Sequence, residues 1–254
     1  MPTSVMALAI NIAVSAAAAL DISTAFPRPT AAQAISQLAT AAELQMDDAS
    51  VPIDIIDRYG GSEWLASFEA EIAEYLGMDR GQFYPTGVAA QNSALAVHAS
   101  LPFRNHRSQP PPCFMMHPTS HLHLYEENAY KELLGANALL VGKQDRVLSA
   151  NDLEIDLKRL IAVGEGPDMI LIELPQRELG CVTPSWSELL EMRALATKYD
   201  VPLHLDGARL WEIAPHYQAE AGVSLKEVVA LFDSAYVSFV SPSASEPAPL
   251  AAAC

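Results

Sequence analysis

The stretch Val201–Leu210 reads VPLHLDGARL, and its order decides the fold. Val201 to Leu205 is short, apolar and β-favouring, and it follows a helical pattern that ends near Tyr199-Asp200. That combination predicts a buried strand of a parallel sheet. Asp206, Gly207 and Arg209 follow at once. In open α/β sheets, ligands sit just beyond the carboxyl ends of the strands. A charge buried there is costly unless it serves a site, so these residues are read as one.

Working outward, helix and strand patterns alternate. Ser185 is placed to cap a helix running to about Tyr199, and MILIEL (Met169–Leu174) before it is a second buried strand. Asn151 with Glu154 three residues later has the form of a capping box, with Leu153, Leu157, Leu160 and Ile161 on one face. Further strands are predicted at Cys113–Met116, Ala138–Gly142 and Ala235–Val240, and helices over Leu124–Leu134 and after the capping box Ser224–Glu227. Nearer the start, Ser62–Leu76 carries apolar residues at helical spacing and stops at Gly77. QFYPTG (Gln82–Gly87) is read as a short strand or extended arm and a turn, entering the small-residue helix Val88–Ser100. Repeated units of this size build a parallel sheet covered by helices.

The chain has 254 residues, a net charge of −16 and only 15 Lys and Arg. No nucleic acid or membrane partner is therefore expected, although a small anion needs only a local patch. Three widely spaced cysteines without a CxxC pair point to a reducing, cytoplasmic setting. The first twenty residues are apolar and alanine-rich, but no Lys or Arg precedes them, so they are read as an extension ahead of the domain, with a secretory leader, whose cleavage site Ala16–Ala19 could imitate, as the alternative. The expected division is an N-terminal arm over 1–45, one α/β domain over 46–240, and a disordered Pro/Ser/Ala-rich tail over 241–254.

Candidate chemistry lies in the turns after these strands. The turn Thr86-Gly87-Val88 enters a helix, and free N–H groups there suit a phosphate. His117, His121, His123 and Glu126 form a second cluster. As HLH on a strand it could hold a metal, but no fourth-ligand spacing accompanies it; a structural histidine, or one lying flat over an aromatic cofactor, are the other readings. Glu173 and Arg177 put charge on the same rim. Asp206 itself suits a metal, a phosphoryl group or the protonated nitrogen of a pyridine cofactor.

LHLDGARL (Leu203–Leu210) resembles the signature of the threonine aldolase / aromatic amino acid β-eliminating lyase family, pyridoxal-phosphate enzymes of fold type I. YGGSEWLASFEAEIAEYLG (Tyr59–Gly77), YPTGVAAQNSAL (Tyr84–Leu95) and SHLHLYEENAYKELLGA (Ser120–Ala136) follow in family order, so the resemblance covers about Tyr59 to Phe239. It implies the large domain of the aspartate aminotransferase fold, with pyridoxal 5'-phosphate as cofactor and an amino acid as substrate. It also implies a homo-oligomer (dimer or tetramer) and cleavage of a β-hydroxy amino acid to glycine and an aldehyde. By position, Thr86, Gly87 and Val88 would hold the phosphate and His121 would stack on the pyridine ring. Asp206 would pair with the ring nitrogen, and Arg209 would lie beside the phenolic oxygen or substrate carboxylate. Glu173 and Arg177 would face the substrate. The metal site is expected to be absent.

Two departures carry expectations of their own. Val88 replaces the family's threonine and removes a hydroxyl donor. The Schiff-base lysine should fall at about residue 241, where the chain has Val240-Ser241-Pro242. The chain is therefore read as stopping before that lysine and the small C-terminal domain, as a truncated form with weak cofactor binding and poor turnover. It is either an impaired lyase or a non-catalytic remnant that docks with full-length protomers.

Overall fold

The computed structural model describes residues 30–33, 35–37, 39–40, 57, 59–100 and 111–239. The expectations for the first twenty residues, the loop from 104, Val240 and the 241–254 tail lie wholly or mostly outside these residues.

Five parallel strands form the centre: β1 (Cys113–Met116), β2 (Asn137–Leu140), β3 (Met169–Glu173), β4 (Leu203–Gly207) and β5 (Ser234–Val237), in the order β2-β1-β3-β4-β5. The opening stretch is therefore an inner strand, and every residue of β3 and β4 is buried. Around the sheet run α1 (Glu63–Leu76), α2 (Gly87–Ser100), α3 (His121–Leu124), α4 (Ala129–Leu134), α5 (Ala150–Ala162), α6 (Trp186–Lys198), α7 (Ala214–Ala221) and α8 (Leu225–Val229).

Strand alternation sorts the side chains into two layers. Met115, Ile170, Ile172, Leu203 and Leu205 join the larger core with Leu153, Leu157, Leu189, Met192 and Val228. Phe114, Met116, Met169 and Leu171 face the other way, against Leu95, Leu122 and Tyr130. On this second face the register sets Leu171 beside His204, Glu173 beside Asp206, and Asp206 beside Tyr236. Apolar side chains thus give way to polar ones towards the carboxyl ends of β3, β4 and β5. The site begins there.

Local signals explain most element ends. Ser62 caps α1 by accepting from the Leu65 N–H, and Gly77 closes it at φ +73°, a conformation that suits glycine. Ser185 and Ser224 cap α6 and α8 as expected. Two expectations need correction. The capping box of α5 is Ser149 with Asp152, not Asn151 with Glu154; Glu154 instead pairs with Lys158 and Lys198. The helix expected over Leu124–Leu134 breaks into α3 and α4, because Glu127 and Asn128 turn to positive φ between them. Of the two readings of the segment before α2, no strand forms over Gln82–Thr86, which leaves the extended arm, and Gly87 already begins α2. Glu69 on α1 takes hydrogen bonds from the Gln82 amide and the Phe83 N–H and pins the segment as a coil.

Candidate active site

Asp206 lies at the end of β4, 1% exposed. Its Oδ1 accepts a hydrogen bond from the Ala208 N–H at 3.2 Å. Burial, reinforced by neighbouring Glu173, pushes its carboxyl up to about 7. Among the described residues no cation forms an ion pair with it, and the charge of His121 offsets only part of the cost of burial.

Glu173, the register neighbour of Asp206, accepts from the backbone N–H of His121 at 3.0 Å and from that of Arg177 at 3.3 Å. Burial raises its carboxyl too. Both oxygens are spent holding loops, one at the start of α3 and one beyond β3. His121 is thereby brought to the mouth of the site. Its Nδ1 is hydrogen-bonded to Glu126 Oε1 at 3.2 Å, and that bond raises the imidazole above its ordinary range, helped by the charges of Asp206, Glu126 and Glu173. The buried Glu126 Oε2 and Ser120 Oγ have no hydrogen-bond partner among the described residues.

The remaining expected residues are placed as follows. Thr86 Oγ1 accepts from the Ala89 N–H at 3.2 Å, so its hydroxyl caps α2 and leaves the Gly87 and Val88 N–H groups at the helix start. Gly87 lies against the Tyr236 hydroxyl, where any Cβ would collide. Val88 is 37% exposed and offers no hydroxyl. Arg209 starts the short 3₁₀ turn Leu210–Ile213 and is near enough to Glu173 to lower its carboxyl. Arg177 stacks over the Tyr125 ring at 5.0 Å and pairs with Glu178 at 3.4 Å. Tyr125 in turn packs against His121, with ring centroids 5.3 Å apart.

The premise of the metal reading, HLH on a strand, is corrected by the secondary structure, and His117 and His123 have other partners. His121 and His123 sit on helix α3 and not on a strand. His123 is hydrogen-bonded to the Tyr130 hydroxyl. His117 Nε2 donates to the Lys143 carbonyl at 2.9 Å, which leaves Nδ1 to accept from the Gln176 amide at 2.6 Å. Among the described residues no group of three His, Cys, Asp or Glu side chains is placed to hold a metal ion.

Sequence reasoning missed the polar residues behind the site. Gln176 and Thr119 clasp His117, and His204 joins Gln91 to Ser234. The one available signal was period two: His204 stands two residues before Asp206 and so shares its face.

Buried Asp206, the aromatic ring of His121 near enough to feel its charge and a glycine turn at a helix start are the parts that a phosphorylated pyridine needs. A protonated ring nitrogen would supply the positive charge that Asp206 lacks, and the first N–H groups of α2 would meet a phosphate. The five lysines lie elsewhere. Lys158 and Lys198 pair with Glu154, Lys226 reaches the Glu74 carbonyl, and Lys131 and Lys143 are exposed.

The sheet and its helices have counterparts among known proteins. A solved structure of a putative L-allo-threonine aldolase from Listeria monocytogenes EGD-E superposes with a TM-score of 0.67 at 36% identity, over 84% of this chain and 52% of that one. Among curated relatives, Aldolase vrtJ of Penicillium aethiopicum is 31% identical over 67% of this chain and 41% of its own length. Alanine racemase TOXG of Cochliobolus carbonum is 32% identical over 68% and 41%. The chain thus spans about two fifths of these curated relatives. Residues 35–241 match the family model described as Beta-eliminating lyase. This chain belongs to the beta-eliminating lyase family, and its sheet is that of the fold type I large domain.

Proposed function

We propose that the chain carries the cofactor-binding half of a threonine-aldolase-type lyase, which cleaves a β-hydroxy amino acid into glycine and an aldehyde. The observation that carries this reading is the buried Asp206 at the carboxyl end of β4, which forms no ion pair among the described residues and whose register partner Tyr236 lies against Gly87 at the start of α2. Pyridoxal phosphate, when bound, supplies an electron sink for the pair released as the Cα–Cβ bond breaks. The chain's own residues prepare the place. Asp206 would hold a proton on the ring nitrogen, and the Gly87 and Val88 N–H groups would take the phosphate, with Thr86 already committed to capping. His121, oriented by Glu126 and anchored through its backbone to Glu173, would cover the ring face. Arg209 and Arg177 are the cations on the rim for a substrate carboxylate, Arg177 being released from Tyr125 and Glu178 to serve. A cytoplasmic setting would suit Cys113 and Cys181, which are not joined by a disulfide.

A second reading, a non-catalytic remnant that docks with full-length protomers, is favoured by the placement of the five lysines. None is paired with a site residue, so the cofactor would be held without a covalent anchor. The test is glycine release from threonine and phenylserine with pyridoxal phosphate added, run beside alanine racemisation. Slow glycine release that Asp206→Ala abolishes supports the lyase. Racemisation without glycine release overturns it. No turnover, together with co-elution with a full-length relative on size exclusion, establishes the remnant.

A further inference from the structure

Beneath the site lies a buried polar chain that the proposed chemistry does not use. His204, fully buried on β4, is hydrogen-bonded through Nε2 to Gln91 Oε1 at 2.8 Å and through Nδ1 to Ser234 Oγ at 2.7 Å. The same hydroxyl meets His98 Nε2 at 2.7 Å. The carbonyl oxygen of Gln91 only accepts, so His204 Nε2 carries the proton. Burial keeps this imidazole neutral, so Nδ1 accepts from the Ser234 O–H, and the serine oxygen accepts from His98 Nε2–H. Each bond fixes the direction of the next.

Its position gives the chain a purpose. His204 and Asp206 are two residues apart on β4, about 6.6 Å along the strand. Gln91 and Gly87 are four residues apart on α2, about 6 Å along the helix. The two spacings match; a hydrogen bond fixes one end and close contact marks the other. Gln91 meets His204, whereas Gly87 meets Tyr236, the register partner of Asp206. Apolar side chains between helix and sheet would allow small sliding adjustments at little cost. A buried hydrogen bond does not, because a displaced Gln91 or His204 would lose its bond inside the core.

Deepening the cofactor reading above and resting on it, we propose that His204 is a positioning residue: through Gln91 it sets the distance between the helix-start N–H groups at Gly87 and the carboxylate of Asp206. A ligand carrying both a phosphate and a ring nitrogen requires that distance; a ligand carrying the ring alone does not.

The test compares pyridoxal phosphate with pyridoxal by equilibrium dialysis on wild type and His204→Phe, alongside amide hydrogen exchange over residues 87–91. The expected result is about tenfold weaker binding of the phosphorylated ligand, the worth of one hydrogen bond. Pyridoxal binding should stay within about twofold, and exchange at 87–91 should quicken while that of α6 holds. Equal weakening of both ligands, or unchanged exchange at 87–91, overturns the proposal. If wild type binds neither ligand, the cofactor reading fails, and exchange still decides the positioning role by the same criterion. Should His204→Phe not fold, Gln91→Met reads the same contact from the helix side.

Discussion

Purified without cofactor at pH 8, the Asp206→Asn variant should be more stable than the wild type. The carboxyl is fully buried beside Glu173 and accepts one backbone N–H. Its ordinary value of 3.8 rises to about 7 in the fold. A raised carboxyl contributes its full stability only below pH 3.8, when both states are protonated. That contribution is lost as the pH climbs through about 7, because the unfolded chain ionises first. At about 1.4 kcal/mol per unit, the ionised group costs the fold roughly 4 kcal/mol at pH 8 and under about 2 kcal/mol at pH 5. Asparagine keeps the shape and the acceptor for the Ala208 N–H and removes the charge. Urea denaturation at the two pH values measures the difference. The variant should gain about 2–4 kcal/mol at pH 8 and distinctly less at pH 5. A gain independent of pH, or a loss at pH 8, would refute the claim that Asp206 is a buried charge awaiting a positive partner.

Three other outcomes follow from the same structure. Gly87→Ala puts a Cβ into the Tyr236 hydroxyl and should cut pyridoxal phosphate binding by at least about tenfold, since 1.4 kcal/mol already gives that factor; isothermal titration reads it, and undiminished affinity counts against the phosphate turn. Ser149→Ala dismantles the capping box that Ser149 and Asp152 form at the start of α5 and should cost about 1 kcal/mol in urea. Leu205→Ala opens a hole in the larger core, where Leu205 is fully buried, and should cost about 2–5 kcal/mol; a cost below that range would mean that α6, α7 or α8 collapses into the gap.

VPLHLDGARL carried most of what could be read without coordinates, because a run of apolar residues ending in Asp-Gly states both a buried strand and its terminus. Helix starts were legible where a serine stood three residues before a glutamate, as at Ser185 and Ser224. They were misread at Asn151 because Ser149 offers the same pattern two residues earlier, with an aspartate that Arg146 also holds. The break between α3 and α4 had no signal beyond Asn128, since glutamate, unlike asparagine, gives no hint of the positive φ that Glu127 adopts. In the site, Asp206 and His121 could be named from the sequence. The links from Glu173 to the His121 backbone and from Gln176 to His117 could not, for they join residues 52 and 59 apart. Such contacts depend on which strands neighbour each other, and β3 lies between β1 and β4 only in the folded sheet.

Affinity for pyridoxal phosphate, titrated by equilibrium dialysis into wild type and Asp206→Asn at pH 8, tests the central claim most directly. The account predicts saturable, reversible binding by the wild type, weakened at least about tenfold in the variant, because the ring nitrogen loses its charged partner. Equal affinity in the two proteins would contradict it.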